Sequence, residues 1–350
     1  MTFKLHPLDT TVVGSFPVLP LYPVQRDFPP YTDQIPEDES YMEDPFVPGI
    51  FEALRMQQKV GIDYPSYGQP QDMCSMFLGY LVGHGLEYEN GFQVVGDLDI
   101  PRTIPAIEYL QVCKRYFDFK GIRMPLTGPV TLSASVKVGQ KTAIEYPEIV
   151  ETLAQFVSHI GSAYDAGGAG IICIDEPSLV YGLYVGIEPE FCTEVVNTAM
   201  SKIQNAVPSI HACGQLNTNI TDILLATKAV VLDHEFASIP GNLDMYSQDA
   251  LESSNKMIGY GCVESNIEPA LLIETQKDGD WTRTVEPVEV VKKRIAEAVT
   301  RYGKDNIILD PDCGFGGLKG YIRGHLTQEI AMTICYEKLK IMIEARKAIA

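Results

Sequence analysis

Four side chains of the kinds that hold zinc stand at the ends of three short apolar runs. Ser209-Ile210-His211-Ala212-Cys213-Gly214 carries an imidazole and a thiol two residues apart. Side chains alternate along an extended strand, so His211 and Cys213 project to one side. Ala229-Val230-Val231-Leu232-Asp233-His234-Glu235 ends in a carboxylate, and Asn306-Ile307-Ile308-Leu309-Asp310-Pro311-Asp312-Cys313-Gly314 ends in a second thiol. Imidazole nitrogen, thiolate sulfur and carboxylate oxygen are all zinc donors. A lone His-x-Cys pair is a weak signal, because buried cysteine most often serves as a small hydrophobe. His211, Cys213, Glu235 and Cys313 become a metal set only where the three ends converge.

Structural zinc sites are commonly built from closely spaced cysteine pairs, and the chain contains no Cys-x-x-Cys. Ligands dispersed over so much sequence favour a catalytic centre. Two thiolates already neutralise the ion, which makes it a poor source of hydroxide and better suited to holding an incoming thiol. A free thiol, with a pKa of about 8.5, is mostly protonated at neutral pH, and coordination removes that proton. Glu235, the weakest ligand, is the one expected to yield. The sulfur so held would be ready to accept an alkyl group.

The segments around these residues repeat a pattern. Extended runs begin near Thr10, Gly61, Ile122, Ala169, Ser209, Ala229, Lys256 and Asn306. Helical stretches are expected at 51–60, from Asp72 as N-cap, and at 143–166, 189–207, 218–227, 243–253, 287–302 and 327 onward. Continuously apolar strands separated by helices imply a parallel sheet covered on both faces. About eight such runs are the number a closed (β/α)8 TIM barrel needs, in an α/β fold of a single domain over residues 1–350. Nearly every run ends in polar, Gly or Pro residues, and a barrel gathers those ends at one mouth. An open doubly wound sheet is the competing architecture; it predicts a Gly-rich phosphate loop after the first strand, which is absent. Residues 18–48, rich in Pro, Tyr and acidic side chains, read as a long loop and a candidate lid.

The bulk composition narrows the partners. The formal net charge is −19, from 27 basic and 46 acidic residues. Nucleic acid is an unsuitable partner for such a surface, which lacks a basic patch. No window reaches the roughly 20 apolar residues of a membrane helix, and the N-terminus lacks a signal-peptide core. Eight dispersed cysteines do not form a secreted disulfide framework. A cytoplasmic protein with reduced thiols is expected.

Taken together, Thr10-Thr11-Val12-Val13-Gly14-Ser15-Phe16-Pro17, Leu126-Thr127-Gly128-Pro129-Val130-Thr131, Ile174-Asp175-Glu176-Pro177, His211-Ala212-Cys213, Glu235 and Asp310-Pro311-Asp312-Cys313-Gly314 resemble the catalytic domain of cobalamin-independent methionine synthase. The resemblance runs in order from the first strand to about Leu318. It implies a (β/α)8 barrel, Zn2+ on His211, Cys213, Glu235 and Cys313, and methyl transfer to the thiol of homocysteine. It also implies that Gly14 and Ser15 meet the amino acid's carboxylate through backbone donors, and that Asp175 holds its ammonium.

Two positions depart from the family pattern. The family's His-Gly-Glu segment stands here as Tyr67-Gly68-Gln69, which puts a neutral Gln69 where an acid would help hold the ammonium. The family's Asp-x-His acid is replaced by Val263-Glu264-Ser265, leaving Glu264 as the candidate leaving-group acid. A corrinoid leaves without protonation whereas a folate amine needs a proton. With the acidic surface, this favours a methylated corrinoid protein as donor. The alternatives are a related corrinoid transferase acting on another thiol such as coenzyme M, and a non-catalytic barrel with structural zinc that binds a partner. His234, on the opposite face of its strand from Glu235, is expected to pack rather than ligate.

Overall fold

The computed structural model describes residues 3–18, 44–101, 108–322 and 326–349. Most of the proposed lid, residues 19–43, lies outside them.

Eight parallel segments close a barrel. The first two are short: β1 (residues 10–11) and β2 (residues 64–66) are joined through bridges rather than long ladders. Then follow β3 (Arg123–Thr127), β4 (Ile171–Asp175), β5 (Val207–His211), β6 (Val231–Glu235), β7 (Met257–Val263) and β8 (Ile307–Pro311). From β3 to β8 each strand pairs in parallel with the next. Thr10 bridges Leu309, Thr11 bridges Tyr64, and Ser66 bridges Arg123, which completes the ring. The strands are buried almost throughout, as expected of a sheet covered by helices.

Helices follow the strands as the apolar spacing predicts, with local chemistry setting their ends. Asn217 caps Thr218–Ala226 by accepting from Ile220 N at 3.1 Å, and Thr327 caps Gln328–Lys347 through Ile330 N at 3.2 Å. The expected helix after Asp72 is only a short one, Ser75–Leu78, running into a 3-10 turn at Gly79–Leu81. The helix expected to reach residue 207 stops at Ala199. A small sheet of Leu86–Tyr88, Phe92–Val94, Val136–Val138 and Lys141–Thr142 stands outside the barrel and is not anticipated by the sequence reading. Among the described residues no helix is long and apolar enough to cross a membrane.

The barrel interior is not purely aliphatic. Arg123, fully buried, donates from Nη2 to Asp233 Oδ2 and to Cys173 Sγ, both at 2.9 Å. Its Nη1 lies 3.7 Å from Asp310 Oδ2, and Ser209 Oγ donates to Asp233. Burial alone would protonate Asp233, yet the guanidinium outweighs it and holds the carboxyl below the usual range. Burial, and then the neighbouring Asp233 charge, drive Asp310 the other way. Gly259 makes room for this cluster, since a Cβ there would overlap Asp233 Oδ1.

Candidate functional site

Each barrel strand delivers its last residues to one mouth. β5 ends at His211 and Cys213 follows two residues later, β6 ends at Glu235, and Cys313 follows β8 by two residues. His211 Nε2 lies 2.9 Å from Cys213 Sγ, and Cys213 Sγ lies 3.8 Å from Cys313 Sγ. One ligand atom from each of His211, Cys213 and Cys313 falls within 4.8 Å of the others. Glu235 stands beside this trio but outside that limit. Its carboxyl is raised by partial burial and then by the charge of Cys313.

Protons are shared unevenly among these three groups. Hydrogen bonds from Cys213 and His211 hold Cys313 well below the usual thiol range, so it is the thiolate of the cluster. Cys213, which donates to it, is pushed up. Burial works against the His211 imidazolium, but the contact with Cys313 prevails and raises it to about 9. A nitrogen and two sulfurs turned inward with a thiolate among them form a cation-seeking arrangement.

Two residues that the sequence reading passed over as site residues fix this geometry. Asp312, one residue before Cys313, accepts from Phe236 N at 2.9 Å, Ala237 N at 2.8 Å and Ser238 N at 2.7 Å, which ties the turn after Glu235 to the end of β8. Asn242 donates to Glu235 O at 2.7 Å and Gly214 O at 3.1 Å, and accepts from Leu216 N at 2.9 Å. Its buried amide thereby joins the Cys213 loop to the Glu235 loop. The Asp-Pro-Asp-Cys spacing offered a signal for Asp312. Nothing local distinguishes Asn242, whose partners lie up to 28 residues away.

The expected substrate-binding residues also reach the mouth, though with different surroundings. Asp175 pairs in register with His211 across β4 and β5. Its Oδ1 is buried without a hydrogen-bond partner, and burial raises its carboxyl to about 6. The other ring nitrogen of His211, Nδ1, is likewise buried and unpartnered. Gly14 adopts φ +55° and Gln69 φ +34°, the latter a left-handed conformation uncommon for a residue with a side chain. A Cβ on Gly14 would lie 3.1 Å from Gln69 Oε1, so the two residues abut. Ser15 accepts through its carbonyl from Phe315 N at 2.7 Å, under the loop after Cys313.

Glu176, next to Asp175, is structural. It accepts from Val130 N at 2.9 Å, Thr131 N at 2.8 Å and Thr131 Oγ1 at 2.7 Å, at the start of the helix Pro129–Ala134. His234 packs on the face of β6 opposite Asp233, as its strand position requires, with Nδ1 3.1 Å from Ala212 O and Nε2 3.0 Å from Tyr246 Oη. Glu264 is directed to the flank. It pairs with Arg294 Nη2 at 2.9 Å in a group with Glu286, and does not join the His211 trio. Cys262 is buried, with Sγ 3.5 Å from Asp310 O, and does not join it either.

Known proteins are similar to this chain over most of its length. A methionine synthase from Methanocaldococcus jannaschii is 29% identical over 345 residues, covering 97% of this chain and 99% of that protein. The 5-methyltetrahydropteroyltriglutamate–homocysteine methyltransferase of Salmonella heidelberg is 25% identical over 333 residues, which is 89% of this chain but 41% of that longer protein. Among solved structures, the B12-independent methionine synthase from Shewanella sp. W3-18-1, in complex with selenomethionine, has the same fold, with TM-score 0.66, 15% identity and 98% of each chain covered. Residues 8–320 match the family described as "Cobalamin-independent synthase, Catalytic domain". That description overturns the expected methylcorrinoid donor: the argument from the substituted acid at Glu264 and from surface charge does not hold against a family defined by independence from cobalamin. With its barrel, its clustered mouth residues and this match over most of its length, the chain is an enzyme that belongs to the cobalamin-independent methionine synthase family.

Proposed function

We propose that the protein methylates the thiol of homocysteine to give methionine at a zinc centre formed by His211, Cys213, Cys313 and Glu235. The observation that carries this reading is the triangle of Nε2 and two Sγ atoms, all within 4.8 Å of one another. Ligands placed about 2.0–2.3 Å from a common tetrahedral ion lie roughly 3.3–3.8 Å apart, so the His211–Cys213 and Cys213–Cys313 separations of 2.9 and 3.8 Å fit zinc with sub-ångström adjustment, and Glu235 would have to move in to complete the set. When bound, the ion supplies the positive charge that keeps an acceptor thiol deprotonated. Cys213 and Cys313 would remain anchored, while Glu235, already outside the tight trio, is the carboxylate free to give way.

The protein's own groups supply orientation. The buried, unpartnered Oδ1 of Asp175 is suited to an ammonium, whose charge would relieve the cost that raises this carboxyl. Gly14 and Ser15 would offer backbone donors to the amino acid's carboxylate. Gln69 would add a neutral amide to the ammonium's surroundings, leaving Asp175 as its carboxylate. We assign no proton transfer to Glu264, whose side chain is engaged by Arg294.

For the donor, the relatives support an N5-methylated tetrahydropterin, the kind named for the Salmonella protein. The balance is simple: a C–N bond breaks, a C–S bond forms, and the proton lost by the thiol equals the one gained by the departing amine. The test is turnover of zinc-loaded protein with homocysteine and methyltetrahydropteroylglutamates, with methylcobalamin and coenzyme M as comparison arms. Methionine from homocysteine and the pterin is expected. Turnover with methylcobalamin alone would overturn the donor, and turnover with coenzyme M alone would overturn the acceptor.

A further inference from the structure

Three mouth loops lock together. Ser15 bridges Gly68, Phe16 N donates to Gly68 O at 2.9 Å, and Phe315 N donates to Ser15 O at 2.7 Å. A Cβ on Gly314 would lie 2.6 Å from Ser15 N, and one on Gly316 would overlap Ser15 Oγ, so the loop after Cys313 lies directly on Ser15. That loop runs through a 3-10 turn, Phe315–Leu318, into Lys319. The Lys319 side chain turns back to the mouth, where Nζ donates to Pro70 O at 2.8 Å, beside Gln69.

This contact uses one of three N–H donors. Among the described residues, no carboxylate comes within ion-pair distance of Lys319 Nζ, in a chain with 46 acidic and 27 basic residues. Partial burial, with no opposing charge, lowers this ammonium to about 8. A half-buried cation facing a single carbonyl is costly unless an anion joins it. Other lysines, exposed or buried, find acids readily: Lys120 with Asp9, Lys141 with Glu145, and the buried Lys338 with Glu286.

We propose that Lys319 is a carboxylate-binding residue of the mouth, holding a carboxylate of the reactants beside Ser15. The inference rests on the methyl-transfer reading for the identity of those reactants. Two of their carboxylates have the right chemistry: the α-carboxylate of the acceptor amino acid and a glutamate on the tail of a pterin donor. In the first case Lys319 and Asp175 would grip the two charged ends of one zwitterion.

The test compares zinc-loaded wild type, K319M and K319R in calorimetric titrations with L-homocysteine and with 3-aminopropane-1-thiol, which is the same molecule without its carboxylate. Michaelis constants for mono- and triglutamyl donors form the second arm. A charged hydrogen bond lost from a partly buried site weakens binding by about 10- to 100-fold. A loss in K319M at least tenfold larger for homocysteine than for the amine thiol, partly restored in K319R, supports the acceptor as source. A loss confined to the triglutamyl donor supports the donor tail. Equal losses for every ligand would mark Lys319 as a loop tie only, and no loss, or no homocysteine binding in any of the proteins, would equally overturn the assignment. Differential binding with no turnover in wild type would remove the methyl-transfer reading and leave the role of Lys319 standing.

Discussion

Asp312 holds the backbone that follows Glu235 through three amide hydrogen bonds, so the second cysteine and the carboxylate of the centre are positioned by one side chain. Burial raises the Asp312 carboxyl to about 6 despite those bonds. Gly261 is what lets it approach: a Cβ there would lie 2.5 Å from Asp312 Oδ1 and 2.6 Å from His234 O.

Asp312→Ala should therefore cost about 2–4 kcal/mol of stability, from buried amides left without an acceptor. It should also weaken zinc binding about 10- to 100-fold, as loss of an orienting residue around a metal site typically does. Gly261→Ala should reproduce both effects without removing any polar group. Urea unfolding and competition with a chromophoric zinc chelator read the two quantities. Unchanged zinc affinity in both variants would show that the Asp312 turn does not set the centre.

The ligands should not be equivalent. Cys313→Ser removes the thiolate of the trio and should lower zinc affinity by at least about 100-fold, whereas Glu235→Gln, altering the group outside it, should lower it by roughly tenfold or less. Stoichiometry and affinity measured on purified protein distinguish them. Equal losses would place Glu235 among the tight ligands, and zinc retained by Cys313→Ser would exclude the proposed set.

His234 gives the protein an acid-sensitive component. Burial holds its imidazole down at about 4, against an ordinary value of 6.5. A depressed base means that the unfolded chain takes up the proton first. Stability is thus fully present above pH 6.5 and is lost as pH falls toward 4, by up to about 3 kcal/mol. The unfolding free energies of wild type and His234→Gln, measured with urea, should converge over that window; parallel curves would mean that burial does not hold His234 below its ordinary value.

Gln69 combines burial with a left-handed backbone at φ +34°. Gln69→Gly should relieve strain worth about 1 kcal/mol. Gln69→Glu should tighten homocysteine binding several-fold by offering the ammonium a second carboxylate. Weaker binding would show that position 69 does not face that group. Calorimetric titration of homocysteine into the zinc-loaded variants decides between these outcomes.

Much of the barrel was legible because its strands announce themselves as apolar runs broken by polar residues at one end. The His211–Cys213–Cys313 grouping was legible because strand alternation and barrel closure leave those donors one place to go. The small sheet around Leu86 and Val136 was not, since its strands span only two or three residues and are half exposed. Arg123 illustrates a different blind spot. In sequence it interrupts an apolar strand, and its partners Asp233 and Asp310 belong to strands more than a hundred residues away. The donor was misread for a related reason: a single substituted position, Glu264, was given weight that belongs to the whole chain.

The guanidinium at the barrel's centre has a consequence for how this enzyme can change. An aliphatic plug can be trimmed one methyl at a time, leaving a void that neighbours partly fill. Arg123 cannot be traded alone, because the ionised Asp233 would be stranded beside Asp310 with no counterion in a place water scarcely reaches. Descendants of this sequence must therefore either keep all three or exchange them together, and the strands bearing His211, Glu235 and Cys313 inherit that shared constraint.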